Sequence, residues 1–238
     1  MNLAMATTVR HAWLAEFGGT AALLAIVVGS GIMGEQLAQG NAAIALLANA
    51  IATGVGLYVL ITLLGPVSGA HFNPMVTAAM WWRGDRTGAE SIGYVGAQLA
   101  GAIVGVWLAH LMFDLPLLQT GIKVRSGIGQ WVSEAIATAG LLSTILLALH
   151  HRSQAIPALV AAYITAAYWF TASTSFANPA VTIARALTHT FAGIRPADVS
   201  GFILAQLSGG ILVLAAAHAL RTPRLATPSV SPSSESPP

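Results

Sequence analysis

Two Asn-Pro pairs, Asn73-Pro74 and Asn178-Pro179, each open a run of about ten mostly apolar residues, 73–82 and 178–187. Asn is a strong helix N-cap, and proline is favoured at the first helical position, where its missing N–H costs nothing. Both pairs therefore read as helix starts. A helix of ten residues rises only about 15 Å, half the thickness of a bilayer core. The polar stretches in front of them, "GPVSGAH" and "TASTSFA", read as loops, and non-helical backbone is tolerated at membrane depth only when buried in protein or lining a watery cavity. The two segments thus predict re-entrant half-helices entered through polar loops.

Composition supplies the membrane. Only 8% of the 238 residues are charged and 55% are hydrophobic, against roughly 25% charged in soluble domains. Such a chain has too few charges to cover a water-facing surface, so the bilayer is its main solvent. Six stretches have about the 20 apolar residues a span requires: 12–33, 42–64, 91–113, 129–149, 155–172 and 198–220. The first is too long for the core of a cleavable signal and reads as a span. The segment 222–238, rich in Pro and Ser, reads as a disordered cytoplasmic tail. The absence of cysteine excludes disulfides, thiolate metal sites and a cysteine nucleophile. A net charge of +2 with scattered basic residues gives no nucleic-acid footprint.

The chain also repeats itself. "AEFGGT" (15–20) is answered by "SEAIAT" (133–138), each with a Glu four residues before a Thr. "AQLAGAIVGVWLAH" (97–110) is answered by "AQLSGGILVLAAAH" (205–218), identical at seven of fourteen positions. Each half, about 10–113 and 129–220, runs span, span, short segment, span, within one channel domain over 1–221. Three spans per half is odd, so the second half enters from the opposite side. Such inverted repeats place functional sites near the midplane, on discontinuous helices. With both termini cytoplasmic, Arg10, Arg83, Arg86, Arg152, Arg221 and Arg224 lie inside, and Lys123, Arg125, Arg185 and Arg195 outside or at the outer interface, in keeping with the positive-inside rule.

Opposite insertion brings the two helix N-termini together, each with about half a positive charge. The asparagine amides offer donors there and the loop carbonyls offer acceptors. Such a lining replaces water's hydrogen bonds for a neutral hydroxylated solute and repels cations.

The doubled Asn-Pro box, the paired Glu-x-x-x-Thr segments and the "SGAHFNP" lead-in resemble the major intrinsic protein family, the aquaporins and glycerol facilitators. The resemblance covers about residues 10–220. It implies an all-α membrane protein of six transmembrane helices plus two re-entrant half-helices, one pore per subunit, a homotetramer and passive flow. It also implies that Asn73, Pro74, Met75, Asn178, Pro179 and Ala180 form the pore midpoint, and that Glu16 and Glu134 hold the loops by accepting backbone hydrogen bonds.

Two departures stand out. The family box is usually Asn-Pro-Ala, followed in the second copy by Arg; here the copies read Asn-Pro-Met and Asn-Pro-Ala-Val. Met75 either reshapes the midpoint or packs against neighbouring helices. Val181 replaces the arginine that donates hydrogen bonds and repels cations at the outer constriction. Counting from each Asn without gaps carries the other constriction positions onto Thr53, Ala166 and Ser175, all small. A ring of Thr53, Ala166, Ser175 and Val181 is wide and weakly polar, and selectivity in aquaporin-type pores follows diameter, hydrogen-bonding groups and electrostatic barriers. The expected function is a passive channel for water, glycerol and other polyols, urea-like solutes, and metalloid hydroxides such as arsenous acid. A water-selective aquaporin and an inverted-repeat secondary transporter are the alternatives. An integral multi-pass protein of a bacterial inner membrane is expected from the short loops and the resemblance.

Arg185 lies four residues after Val181, on the same helix face. It is either a displaced pore arginine or an interfacial arginine snorkelling at a helix end. His71, next to the first box, either contacts the pore or packs within its loop. His110 and His218 read as interface residues. His150 and His151 suit a cytoplasmic loop, with a pH gate as the other reading. No histidine spacing suits a metal site, no constellation suits an enzyme, and no cofactor is implied. Trp81 and Trp82 read as interfacial aromatics, and a Gly/Ala stripe along 93–105 suits close helix packing.

Overall fold

The computed structural model describes the backbone of residues 3–220 and the side chains from residue 9; the expected tail at 222–238, with Arg221 and Arg224, lies outside the described residues. Eight α-helices follow one another: α1 (Leu3–Leu37), α2 (Ala42–Ser68), α3 (Pro74–Arg83), α4 (Gly88–Met112), α5 (Ile128–His151), α6 (Ile156–Phe170), α7 (Pro179–Arg185) and α8 (Pro196–Ala219). Five of them, α1, α2, α4, α5 and α8, are long and apolar enough to cross a membrane. The sixth span is shorter than its sequence window: α6 has 15 residues, a rise of about 22 Å.

Local chemistry sets the ends. The Asn41 side chain accepts from the N–H groups of Ala43 and Ile44 at the start of α2. Thr87 and Glu90 form a reciprocal capping box at the start of α4, satisfying two otherwise orphaned donors. Gly69 ends α2 with φ of 91°, the left-handed conformation glycine adopts without strain.

Helix α1 packs on α4 and α2, α5 packs on α8 and α6, and α2 packs on α6. Glycine sets the closest crossings. A Cβ at Gly101 or Gly105 would overlap the α1 carbonyls of Phe17 and Ala21, and one at Gly209 would overlap the α5 carbonyl of Ala135. Without strong hydrophobic driving force between helices in lipid, such backbone approach is what gains packing energy. Polarity is arranged accordingly. Leu14, Leu63, Ile92 and Leu204 are well exposed, whereas Glu16, Gln98, Glu134 and Gln206 are fully buried. Buried polar groups need partners: the glutamates find theirs chiefly in the two loops that lead to α3 and α7, and the glutamines in those glutamates and in Thr77 and Thr182.

Candidate functional site

The two loops have the same backbone. At four, three and one residues before each Asn, Gly69, Ala70 and Phe72 carry φ of 91°, 48° and 48°, and Thr174, Ser175 and Ala177 carry 61°, 51° and 48°. Left-handed conformations are costly for residues with a Cβ and persist only where the surroundings over-determine them. Here the surroundings are two buried carboxylates. Glu16 accepts from the N–H groups of His71 (2.9 Å) and Phe72 (2.7 Å), the Ser68 hydroxyl (2.7 Å) and the Gln98 amide (2.8 Å). Glu134 accepts from the N–H groups of Phe176 (2.8 Å) and Ala177 (2.9 Å) and from the Gln206 amide (2.6 Å). Each Gln also donates to a half-helix threonine, Gln98 to Thr77 and Gln206 to Thr182, both at 2.9 Å.

The loops also hold each other. The Asn73 amide donates to the Ala177 carbonyl, and the Asn178 amide donates to the Phe72 carbonyl, both at 2.8 Å. Their side-chain oxygens cap the half-helices, Asn73 accepting from Met75 N–H and Asn178 from Ala180 and Val181 N–H. Pro74 and Pro179 occupy the first helical turns. Two helix N-termini therefore meet with their caps crossed.

Beside this junction runs a cavity of about 280 Å³. Four helices, α1, α2, α5 and α6, each contribute one row of side chains at i, i+4 spacing, the spacing that stacks residues on one helix face. The rows are Leu23 and Val27 of α1, Thr53, Leu57 and Ile61 of α2, Leu141, Ile145 and Leu149 of α5, and Ile156, Val160, Ile164 and Tyr168 of α6. The half-helices add Val76 with Met80, and Val181 with Arg185. Gly69, Ala70, His71, Phe72 and Asn73 of one loop and Ser175, Phe176 and Asn178 of the other complete the wall, and Asp85 and Arg86 stand at the α3 end. Most of the wall is apolar; its polar groups come from the loops and their asparagine caps, from Thr53 and Tyr168, and from Arg185.

Of the expected constriction residues, Thr53, Ser175 and Val181 line the cavity together at the α7 end. Ala166 does not: it is exposed, two residues off the α6 row and so about 200° round the helix. Tyr168 takes its place. Its hydroxyl lies 3.2 Å from Thr53 Oγ1. An aromatic side chain thus stands beside Thr53 where the sequence predicts four small residues. The Ser175 hydroxyl is buried and has no hydrogen-bond partner.

Met75 is buried but is not part of the wall; its terminal methyl fills the space beside Gly210. Pro74, Pro179 and Ala180 likewise stand behind the lining. Arg185 is buried rather than interfacial, and it lines the cavity. Its Nε donates to the Ala192 carbonyl, and its guanidinium carbon lies 3.4 Å from the centre of the Phe176 ring. His71 also lines the cavity; its Nδ1 lies 3.1 Å from Thr77 Oγ1. His110 departs from its expected interfacial role: it is buried, with Nδ1 3.0 Å from the Leu117 carbonyl and Nε2 2.8 Å from Thr188 Oγ1.

Arg125 was not singled out by sequence as a site residue. It is buried in the α4–α5 connection, donating to the carbonyls of Gly193 (2.9 Å) and Ser173 (3.0 Å). Its guanidinium carbon also faces the Phe176 ring, at 4.9 Å. Arg86 does the same service in the other loop, donating to the Ser68 carbonyl at 2.8 Å. No periodicity marks either arginine. Tyr168, by contrast, is legible as the last member of the Ile156, Val160, Ile164 row. Among the described residues no cluster of His, Asp and Glu could hold a metal ion.

Known proteins share this architecture. The profile of the family described as Major intrinsic protein matches residues 4–171. A protein of Rhizobium meliloti (strain 1021), described as Aquaglyceroporin AqpS, is 56% identical over 202 residues, covering 85% of this chain and 86% of the relative. A probable glycerol uptake facilitator protein of Thermotoga maritima is 32% identical over 148 residues, 56% of this chain and 62% of the relative. Among solved structures, the aquaglyceroporin from Plasmodium falciparum superposes with a TM-score of 0.67 at 19% identity, over 86% of this chain and 93% of the other.

Proposed function

The chain belongs to the major intrinsic protein family, and from that premise we propose that it is a passive channel for glycerol and other small uncharged solutes, with the cavity between the two half-helices as its path. It is an integral multi-pass membrane protein and, as a member of a channel family, not an enzyme. The observation that carries the reading is the reciprocal Asn73 and Asn178 junction beside a cavity whose wall is apolar on the long helices and polar along the loops. The tethered N–H groups of both loops point back to Glu16 and Glu134, which leaves loop carbonyls to accept from a solute. The paired helix N-termini oppose cations at the same level.

In this reading Thr53, Tyr168, Ser175 and Val181 form the outer filter, Asn73 and Asn178 the midpoint, and His71 lines the inner half. Glu16 and Glu134 act as loop supports. Water, urea-like solutes and undissociated metalloid hydroxides such as arsenous acid are proposed to pass with the polyols. The assembly is proposed to be a homotetramer in a bacterial inner membrane, with both termini cytoplasmic. The rival reading is a water-selective pore, which the Tyr168 ring favours by narrowing the filter. Stopped-flow light scattering on proteoliposomes separates the two. Glycerol, urea and arsenous acid entering well above the protein-free rate support the channel proposed here. Fast water flux with glycerol excluded would assign the water-selective pore instead.

A further inference from the structure

The cavity reads as a solute path, and on that reading its α7 end carries a charge that the usual filter position does not supply. Counting from the two asparagines, position 181 corresponds to Val76, and Arg185 corresponds to Met80. The half-helix that lost a cation at one turn therefore gained one at the next, on the same face of the same wall.

Three observations give that arginine a function. First, its guanidinium is held, by the Ala192 carbonyl at Nε and by the Phe176 ring against its plane. A cation over an aromatic face gains most when desolvated. Second, its charge is unneutralised. The ion pairs among the described residues are Arg83 with Asp85 and Arg195 with Asp198, and neither involves Arg185. Arg125, also without a carboxylate on its guanidinium, faces the same ring and adds a second positive charge. Third, the guanidinium's two Nη groups donate to no protein acceptor among the described residues, while the neighbouring Ser175 hydroxyl is buried and unpartnered on the same wall. Buried polar groups are normally satisfied, so these are the groups left for something that passes.

We propose that Arg185 is the charge filter of this pore: its Nη groups donate to the oxygen of a passing solute, with Ser175 as the second contact, and its positive charge excludes cations in place of the arginine missing at position 181. Arg125 is a positioning residue, fixing the Phe176 ring and the loop carbonyl of Ser173 against which Arg185 is set. A wall that carries one sign of charge in a low-dielectric cleft changes local ion concentration by about tenfold or more.

The test measures proton leak into proteoliposomes loaded with a pH-sensitive dye, divided by glycerol flux in the same preparation. Arg185→Met should raise that ratio at least about tenfold. Arg185→Lys should keep it low, and adding Val181→Arg to Arg185→Met should bring it back down. Arg185→His makes charge adjustable within one folded protein: at equal pH gradient, the ratio should rise as mean pH goes from 5.5 to 8. An Arg185→Met ratio equal to that of the unaltered protein overturns the proposal. If Arg185→Met does not reconstitute, a pH-independent ratio in Arg185→His overturns it instead. Absence of glycerol flux in the unaltered protein would overturn the channel reading beneath it.

Discussion

Met75 occupies the volume that a side chain at position 210 would need: a Cβ on Gly210 would overlap the methionine's terminal methyl. In the internal repeat, Gly210 aligns with Ala102 and Met75 with Ala180. Each pairing takes one residue from each half, Met75 with Gly210 where the repeat mates are Ala180 and Ala102, so the larger residue after the first Asn-Pro is matched by a smaller one on α8. The departure from Asn-Pro-Ala is a packing exchange at the back of α3. Gly210→Ala should lower stability by about 1–3 kcal/mol, the usual effect of overpacking. Met75→Ala alone should lower it by about 2–5 kcal/mol, and the two changes together should cost less than their sum. Thermal unfolding in detergent checks the cycle, and additive losses would contradict the contact.

The α6 row makes a prediction about pore size. Tyr168→Ala removes the largest side chain from the filter and should raise the flux of a four-carbon polyol by about tenfold relative to water, as expected when diameter limits passage. Ala166→Phe, on the outer face of the same helix, should leave that ratio unchanged. Solute-specific swelling rates of proteoliposomes measure both.

The loop carboxylates make a prediction about stability. Glu134→Ala strands the N–H groups of Phe176 and Ala177 and an amide hydrogen of Gln206, each orphaned donor costing about 1–3 kcal/mol. Their loop loses its carboxylate anchor and keeps the bonds from Asn73 and Arg125, so the variant should unfold at lower temperature. Glu134→Gln keeps an acceptor oxygen and should fall in between. Equal unfolding temperatures for all three proteins would remove Glu134 from its supporting role.

Lys123 provides the pH dependence. It lies in the α4–α5 connection, where its ammonium donates to the Phe191 carbonyl. Desolvation first, and then the charges of Arg125 and Arg185, pull its pKa down to about 8. The folded chain thus binds this proton more weakly than the unfolded chain. Stability should rise as pH climbs from about 8 towards the ordinary lysine value of about 10.4, because the unfolded state holds the extra proton there. Over pH 7 to 9 the α4–α5 connection loses most of one positive charge, and cation leak should grow by about twofold, a small effect because salt screens an exposed site. In Lys123→Gln the leak should not change over that range.

Much of this was legible in the chain because it depends on local rules. The half-helices follow from Asn and Pro at a helix start, and α3 and α7 begin at the predicted residues. The family resemblance rested on the same boxes, and the paired glutamates were visible as repeated letters. What escaped depends on loops. Counting back from Asn178 to the filter assumes the connection from α6 has the family's length and path, yet α6 ends at Phe170 and brings Tyr168 rather than Ala166 to the wall. The i, i+4 row through Ile156, Val160 and Ile164 carried that information. Arg125 had no such marker, since it reaches the second loop from a connection without helical period. His110 read as interfacial because it ends a span, but the α4–α5 connection folds back over it and buries it.

The central claim is that solute passes along the cavity lined by the α6 row. The chain contains no cysteine, so a single introduced thiol is a unique reporter. Glycerol flux should be measured in Ile164→Cys and Ala166→Cys proteoliposomes before and after a bulky, membrane-impermeant organomercurial. Flux through Ile164→Cys should fall to near the protein-free rate, and flux through Ala166→Cys should be unchanged. Block at Ala166→Cys with none at Ile164→Cys would contradict that claim.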